Sequence, residues 1–338
     1  MECDIVEGNV VLITENLMKL LALIIFSGVV FAKVGKKVHM PDVVFFILAG
    51  IIVGPSVLNL VNFDQYPVAN QLILVFGASY ILYDGGREIS LKVLNEVKLS
   101  VGMLSTVGVL ISTFITGFFA YKVLHIDFMY ALLLGSVIAS TDPSVLVPLF
   151  KNMNINPKLK QTIISESAFN DAAGAIITFA IIGIVSGGSF SLGHSIIDLL
   201  KEAGGGVLVG GIIGYIATLL VSESKFGLLK GYAGEIAVVA VLLAYFTAVR
   251  FGFSGFMAVF IIGMVCGNKE TCKLSAIEEE SYDLHLKFKE VLISILRIMI
   301  FVLLGIQMNF DILSKYFGGA LIIVIGFIFL ARPVSVDR

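Results

Sequence analysis

An all-α polytopic membrane protein is the fold class that this 338-residue sequence predicts. Three observations carry that reading. First, 58% of the residues are hydrophobic, only 14% are charged, and the mean hydropathy is +1.00. Soluble domains are about half apolar and about a quarter charged. Second, eleven apolar stretches approach the roughly 17–25 residues that a helix needs to cross a bilayer. Third, lysine and arginine crowd alternate connections, as cytoplasmic loops require.

The stretches are 12–33, 42–60, 68–86, 99–122, 129–150, 162–187, 200–221, 232–249, 254–267, 288–308 and 317–333. Several reach spanning length only by admitting a polar residue or a glycine. The loops after segments 1, 3, 5, 7 and 9 hold fifteen cations, among them Lys36, Arg87, Lys158, Lys230 and Lys273. The opposite loops hold three, Lys122, Arg250 and Lys315. This alternation predicts an outside N-terminus and a cytoplasmic position for Arg332 at the end of segment 11. The acidic start, "MECDIVEGNV", lacks the basic region of a secretory signal. The connections are short, and no sizeable soluble domain interrupts them. The longest loop, about 268–287, carries the acidic run 278–280, read as a solvated face.

The remaining composition excludes more than it suggests. A net charge of −2 points to no nucleic-acid partner. Cys3, Cys266 and Cys272 form no C-x-x-C pair, so neither a disulfide framework nor a zinc site is expected. His39, His125, His194 and His285 fall singly near loops, and interfacial roles suit them better than metal ligation. No cofactor is expected. Segment 7 repeats glycine at 206, 210 and 214. That spacing lets helix backbones approach closely, for packing within the chain or for a dimer contact.

Charge within apolar segments is the functional clue. An ionisable residue in the hydrocarbon core costs at least about 2.5–3.5 kcal/mol, so it usually faces a cavity or a partner. Asp84, Asp142, Glu166, Asp171, Arg297 and Arg332 fall in this class. Arg297 is read as a structural cation, and Glu235 near the start of segment 8 as interfacial.

Residues 140–144 read "STDPS" inside segment 5. Pro143 has no N–H, and its ring clashes with the carbonyl of Ala139. It also drives Asp142 out of helical angles. Two structures fit these facts. One is a proline kink with Asp142 paired for structure. The other is an unwound stretch whose carbonyls near Ser140 and Thr141 become cation ligands. In the second, Asp142 lies beside the positive end of a half-helix starting near Ser144. Broken helices of this kind form midplane ion sites in secondary transporters.

Segment 6 tips the balance toward the second. In "SESAFNDAAGAIITF", Ser167, Asp171, Gly174 and Thr178 fall on one helix face. Glu166 and Asn170 occupy the adjoining strip. Oxygen ligands of this type suit a hard cation. Burial disfavours a carboxylate's charged form and brings its titration towards neutrality. A site that takes either a proton or a cation, and not both, exchanges them by competition.

The "TDP" at 141–143 and the "ESxxND" at 166–171 resemble signatures of the cation/proton antiporter superfamily, in its NhaP/NHE sodium/proton branch. "GFSGFMAVFIIG" (252–263), "RIMIFVLLG" (297–305) and "FLARP" (329–333) extend the likeness over nearly the whole chain. The resemblance implies an inverted-repeat antiporter fold with a broken helix at Thr141–Pro143, working by alternating access as a homodimer in the cell membrane. Asp171 would bind proton and cation alternately. Asp142, Thr141 (largely through its backbone oxygen) and Ser167 would complete a Na⁺ site. Asn170 stands where electrogenic relatives carry a second aspartate, which implies one cation per proton. Glu166 would pair with Arg332. Asp84 occupies a position that is usually glutamate in "EGG", so its supporting role through water is shorter in reach.

The implied organisation makes 99–187 and 317–338 the ion-binding part, and 1–98 and 200–308 mainly dimer scaffold. Relatives have about thirteen segments, so the last two are expected to be missing here, from a fragment or an inactive truncated product. A K⁺/H⁺ exchanger of the same superfamily is the nearest rival. An intramembrane aspartyl protease would use "YDGG" at 83–86, but its Gly-x-Gly-Asp partner motif is absent. Nothing resembles the repeated filter of a channel.

Overall fold

The computed structural model describes residues 2–38, 40–63, 65–141, 155–186, 192–222, 227–268 and 279–336. Among these residues the secondary structure is helical throughout. Eleven helices follow one another: α1 (Glu2–Val38), α2 (Asp42–Val53), α3 (Pro67–Arg87), α4 (Leu91–Leu124), α5 (Phe128–Ala139), α6 (Pro157–Val185), α7 (Leu192–Val221), α8 (Ala233–Arg250), α9 (Gly255–Gly267), α10 (Glu279–Ile306) and α11 (Phe310–Val336). Each corresponds to one predicted segment. Six of them, α1, α4, α6, α7, α8 and α11, are long and apolar enough to cross a membrane.

Side-chain caps fix several starts. Asp127 accepts from the Met129 amide at 2.8 Å to open α5, and Asn156 accepts from Lys158 at 2.9 Å to open α6, where Pro157 takes the first turn. Ser254 opens α9 by accepting from Met257. Such caps satisfy amides that have no partner within the helix. His125 ends α4 in the left-handed region, with φ 53°.

Three boundaries differ from expectation. Segment 2 was expected to run to 60, but α2 stops at Val53. Gly54 is extended there and Pro55 cannot donate, so the chain folds back. The amides of Leu60 and Val61 both reach the Val53 carbonyl at 3.0 Å. In segment 5, α5 ends at Ala139, and the Asp142–Pro143 portion lies outside the described residues. Of the acidic run expected in a loop, Glu279 and Glu280 stand in the first turn of α10, and residue 278 lies outside the described residues.

The chain divides into two compact units: residues 1–81 with 286–314, and residues 82–285 with 315–338. The first is held by an apolar core of Ile24, Phe46, Ala49, Val53, Ile298, Val302, Leu303 and Ile306 from α1, α2 and α10. α2 meets α10 at Gly50 and Gly305. A Cβ added at Gly50 would lie 2.9 Å from the Gly305 Cα. In the second unit α4, α5 and α6 pack together, as do α7, α8 and α9. The glycine repeat of α7 serves that packing. Gly206, Gly210 and Gly214 face Ser254, Ala258 and Ile262 of α9. Between the two readings of the repeat, contact within the chain is the one seen.

Two helices carry a π turn. Residues Leu104–Gly108 widen α4, and Phe327–Ala331 widen α11 just before Arg332. Gly108 ends the first π turn, and Gly326 and Pro333 flank the second. The two sites adjoin: a Cβ at Gly108 would lie 3.4 Å from the Ser335 carbonyl.

Candidate functional site

The site lies in the second unit, where the end of α5 meets α6. Ser140 caps α5 with extended backbone (φ −72°, ψ 136°), which frees residues 140 and 141 from the helix. Their polar atoms turn to the α6 face predicted from the sequence.

Two sets of contacts form. In the first, Ser140 donates its hydroxyl to Asp171 Oδ1, and Ser167 donates its hydroxyl to the Thr141 carbonyl. In the second, Asn170 Nδ2 donates to Thr141 Oγ1 at 2.8 Å and to Glu166 Oε1 at 2.9 Å. Arg332, from α11, reaches the same acceptors: Glu166 Oε1 at 3.4 Å and Thr141 Oγ1 at 3.3 Å. Asn170, Ser167 and Glu166 are 0%, 2% and 8% exposed. Buried polar groups at this density are stable only when paired, and these are.

The two sets have different chemistry. Glu166 and Arg332 oppose each other in charge; Asn170 ties Glu166 to Thr141, and Arg332 reaches Thr141 itself. This is a brace, with its charges mutually satisfied. The Asp171 side offers a carboxylate, a carbonyl and two hydroxyls. A hydroxyl can donate or accept, so these groups can serve either a proton or a hard cation.

A further hydroxyl pair extends the α5–α6 interface. Ser136 Oγ and Thr178 Oγ1 lie 2.9 Å apart, one turn before Ser140 and two turns after Asp171.

Among the residues expected at the site, Thr141, Glu166, Ser167, Asn170, Asp171 and Arg332 come together. Asp142, expected to be a ligand, lies outside the described residues. Asp84 is half-buried near the end of α3, in the stretch where Gly86 and Tyr83 pack against Phe260 and Gly263 of α9. α9 also supports α6, through Phe169 edge-on to Phe260 with centroids 5.1 Å apart. Arg297 is half-buried in α10, in the first unit, and Glu235 is exposed in the first turn of α8. The Ser140 hydroxyl was not singled out, although a segment 5 hydroxyl was expected beside the carbonyls and the carboxylate. Its signal is local: a hydroxyl residue directly before "TDP", at the point where the helix must break.

Comparisons with known proteins agree on one family. The family described as "Sodium/hydrogen exchanger, transmembrane" matches residues 21–336. The chain is 30% identical over 325 residues to Na⁺/H⁺ antiporter 1 of Methanocaldococcus jannaschii, covering 94% of this chain and 74% of that protein. It is also 30% identical to the K⁺/H⁺ antiporter NhaP2 of Shewanella oneidensis, covering 93% of this chain and 53% of that protein. Among solved structures, the sodium proton antiporter MjNhaP1 from Methanocaldococcus jannaschii at pH 8 superposes with a TM-score of 0.83 at 30% identity. That match covers 95% of this chain and 78% of the other.

Proposed function

Since this chain belongs to the sodium/hydrogen exchanger family, we propose that it is a secondary antiporter exchanging Na⁺ or Li⁺ for H⁺. It is a membrane transporter and not an enzyme, and the family replaces the protease reading of "YDGG". The observation that carries the proposal is the meeting of Ser140, Thr141, Ser167 and Asp171 oxygens beside a neutralised Glu166–Arg332 pair.

Asp171 is the exchanging group. With a proton on it, the carboxyl is neutral and repels no charge. Without the proton, its negative charge attracts a cation, which the Thr141 carbonyl and the Ser167 hydroxyl help to ligate. Asp142 adds a second carboxylate to that shell. The Glu166–Arg332 brace contributes no net charge, and Asn170 is neutral. A cation therefore displaces one proton, and the exchange is electroneutral. Asp84 supports the site from α3.

The ion-carrying part is 99–187 with 317–338, and 1–98 with 200–308 is the scaffold through which two copies pair. The protein works in the cell membrane with its N-terminus outside. K⁺ is the second candidate ion, because one relative carries that name.

The test uses acid-loaded membrane vesicles and a pH dye. Addition of Na⁺, Li⁺ and then K⁺ should raise the internal pH in the order of preference. The Asp171→Asn protein should insert normally and give no response. Exchange that persists in that variant would overturn the assignment of Asp171.

A further inference from the structure

Two adjacent hydroxyl residues leave α5 together and meet different fates. Thr141 is shared: its Oγ1 accepts from Asn170 and Arg332 in the brace, and its carbonyl accepts from Ser167 on the Asp171 side. Ser140 turns to Asp171.

The surroundings are shaped for that contact. Gly174 follows Asp171 by three residues, on the same face of α6. A Cβ there would lie 3.3 Å from the Ser140 Cβ and 3.7 Å from the Ser136 carbonyl. The first separation is tighter than ordinary carbon contact. Any side chain at 174 would press Ser140 away from its position over α6. Beyond it, the Ser136–Thr178 hydroxyl pair holds α5 and α6 in register.

We propose that Ser140 is a positioning residue for the exchange: its hydroxyl orients the Asp171 carboxylate for the incoming cation. This rests on the reading of Asp171 as the shared proton and cation site.

The chemistry follows from the hydroxyl's two roles. It donates to Asp171 when the carboxylate is charged. It accepts when the carboxyl holds a proton. Asp171 thus keeps one orientation through the cycle. The donated hydrogen bond is charge-assisted and stronger than the accepted one, so the carboxylate that receives the cation is held in place. An alanine at 140 releases that orientation, and Na⁺ then meets a carboxylate that is free to turn.

The full chain, reconstituted in liposomes, gives the test. Na⁺-driven proton exchange is followed across a Na⁺ series at fixed pH for the native protein, Ser140→Ala, Ser140→Thr, Gly174→Ala and Asp171→Asn. In Ser140→Ala the apparent KM for Na⁺ should rise about three- to ten-fold, with the maximal rate within about two-fold. Ser140→Thr keeps the hydroxyl and should restore the native KM. Gly174→Ala should raise the KM as Ser140→Ala does, and it carries the test if Ser140→Ala fails to fold.

An unmoved KM for Na⁺ in Ser140→Ala would overturn the proposal, whether the maximal rate stays native or falls. A Ser140→Thr protein that behaves like alanine would also overturn it. If Asp171→Asn still exchanges, the underlying assignment of Asp171 fails instead, and the two failures are distinct.

Discussion

The apolar core of the first unit and the α5–α6 junction of the second are both buried, and they are held by opposite means. Around Ile298, Val302 and Leu303 the packed side chains are apolar, and glycines at 50 and 305 let the backbones touch. Around Asp171 the contacts are hydrogen bonds and one ion pair. Dispersion contacts are many and interchangeable. Hydrogen bonds are few and specific, and a missing partner leaves a costly orphan. The first region should therefore answer mutation with lost stability. The second should answer with lost or altered transport.

Asp171→Asn gives the sharpest break of this contrast. Exchange should fall at least about 100-fold with little change in folding, read by the pH dye together with a thermal melt. A large fall in stability instead would make the junction as structural as the apolar core.

Arg332→Ala should affect both properties. It leaves Glu166 buried at an unmatched charge. Breaking a buried pair costs about 3–5 kcal/mol, and the arginine's 29% exposure reduces that to about 2 kcal/mol by solvent screening. The melting temperature should drop by several degrees. Adding Glu166→Gln to Arg332→Ala should recover part of that loss, as coupled partners do. A strictly additive double variant would show that the two are not a pair.

Leu303→Ala tests the other side. Leu303 is fully buried in the first unit, and the truncation should destabilise by about 2–4 kcal/mol. The protein that remains folded should keep its native KM for Na⁺. A changed KM would show that the apolar core tunes the site.

Ser136→Ala should be the mildest. It removes one hydroxyl of the Ser136–Thr178 pair, and interhelical hydrogen bonds in membranes average about 0.6 kcal/mol. A melting shift near the limit of detection is expected, with an unchanged KM for Na⁺. A clear rise in KM would extend the influence of Ser140 one turn further along α5.

Much of this architecture was legible because membrane segments obey simple rules. Apolar runs and the alternation of loop cations located eleven helices, and the 3.6-residue period put Ser167, Asp171, Gly174 and Thr178 on one face. The end of α2 was missed because an apolar run continues past Gly54 and Pro55 to Val61 while the backbone folds back on itself. Hydropathy does not register that reversal. The start of α10 was missed because acidic residues suit a loop and a helix N-terminus alike. Ser140 was not singled out because ligand reasoning at a broken helix attends first to carbonyls. Its hydroxyl's direction depends on a glycine thirty-four residues away, at 174.

The π turn at Phe327–Ala331 makes α11 a helix with one spare residue. An α-helix rotates about 100° for each residue, and a π turn absorbs one extra residue without passing that rotation on. Arg332 begins the regular turn that follows, so its bearing toward Glu166 does not depend on strict count upstream. A single deletion inside 327–331 closes the helix to ordinary pitch with the guanidinium still facing its partner. The same deletion in a helix lacking the widened turn would swing Arg332 about 100° aside. Tolerance to an error of length is thus built into the turn beside the one residue whose direction the brace cannot spare.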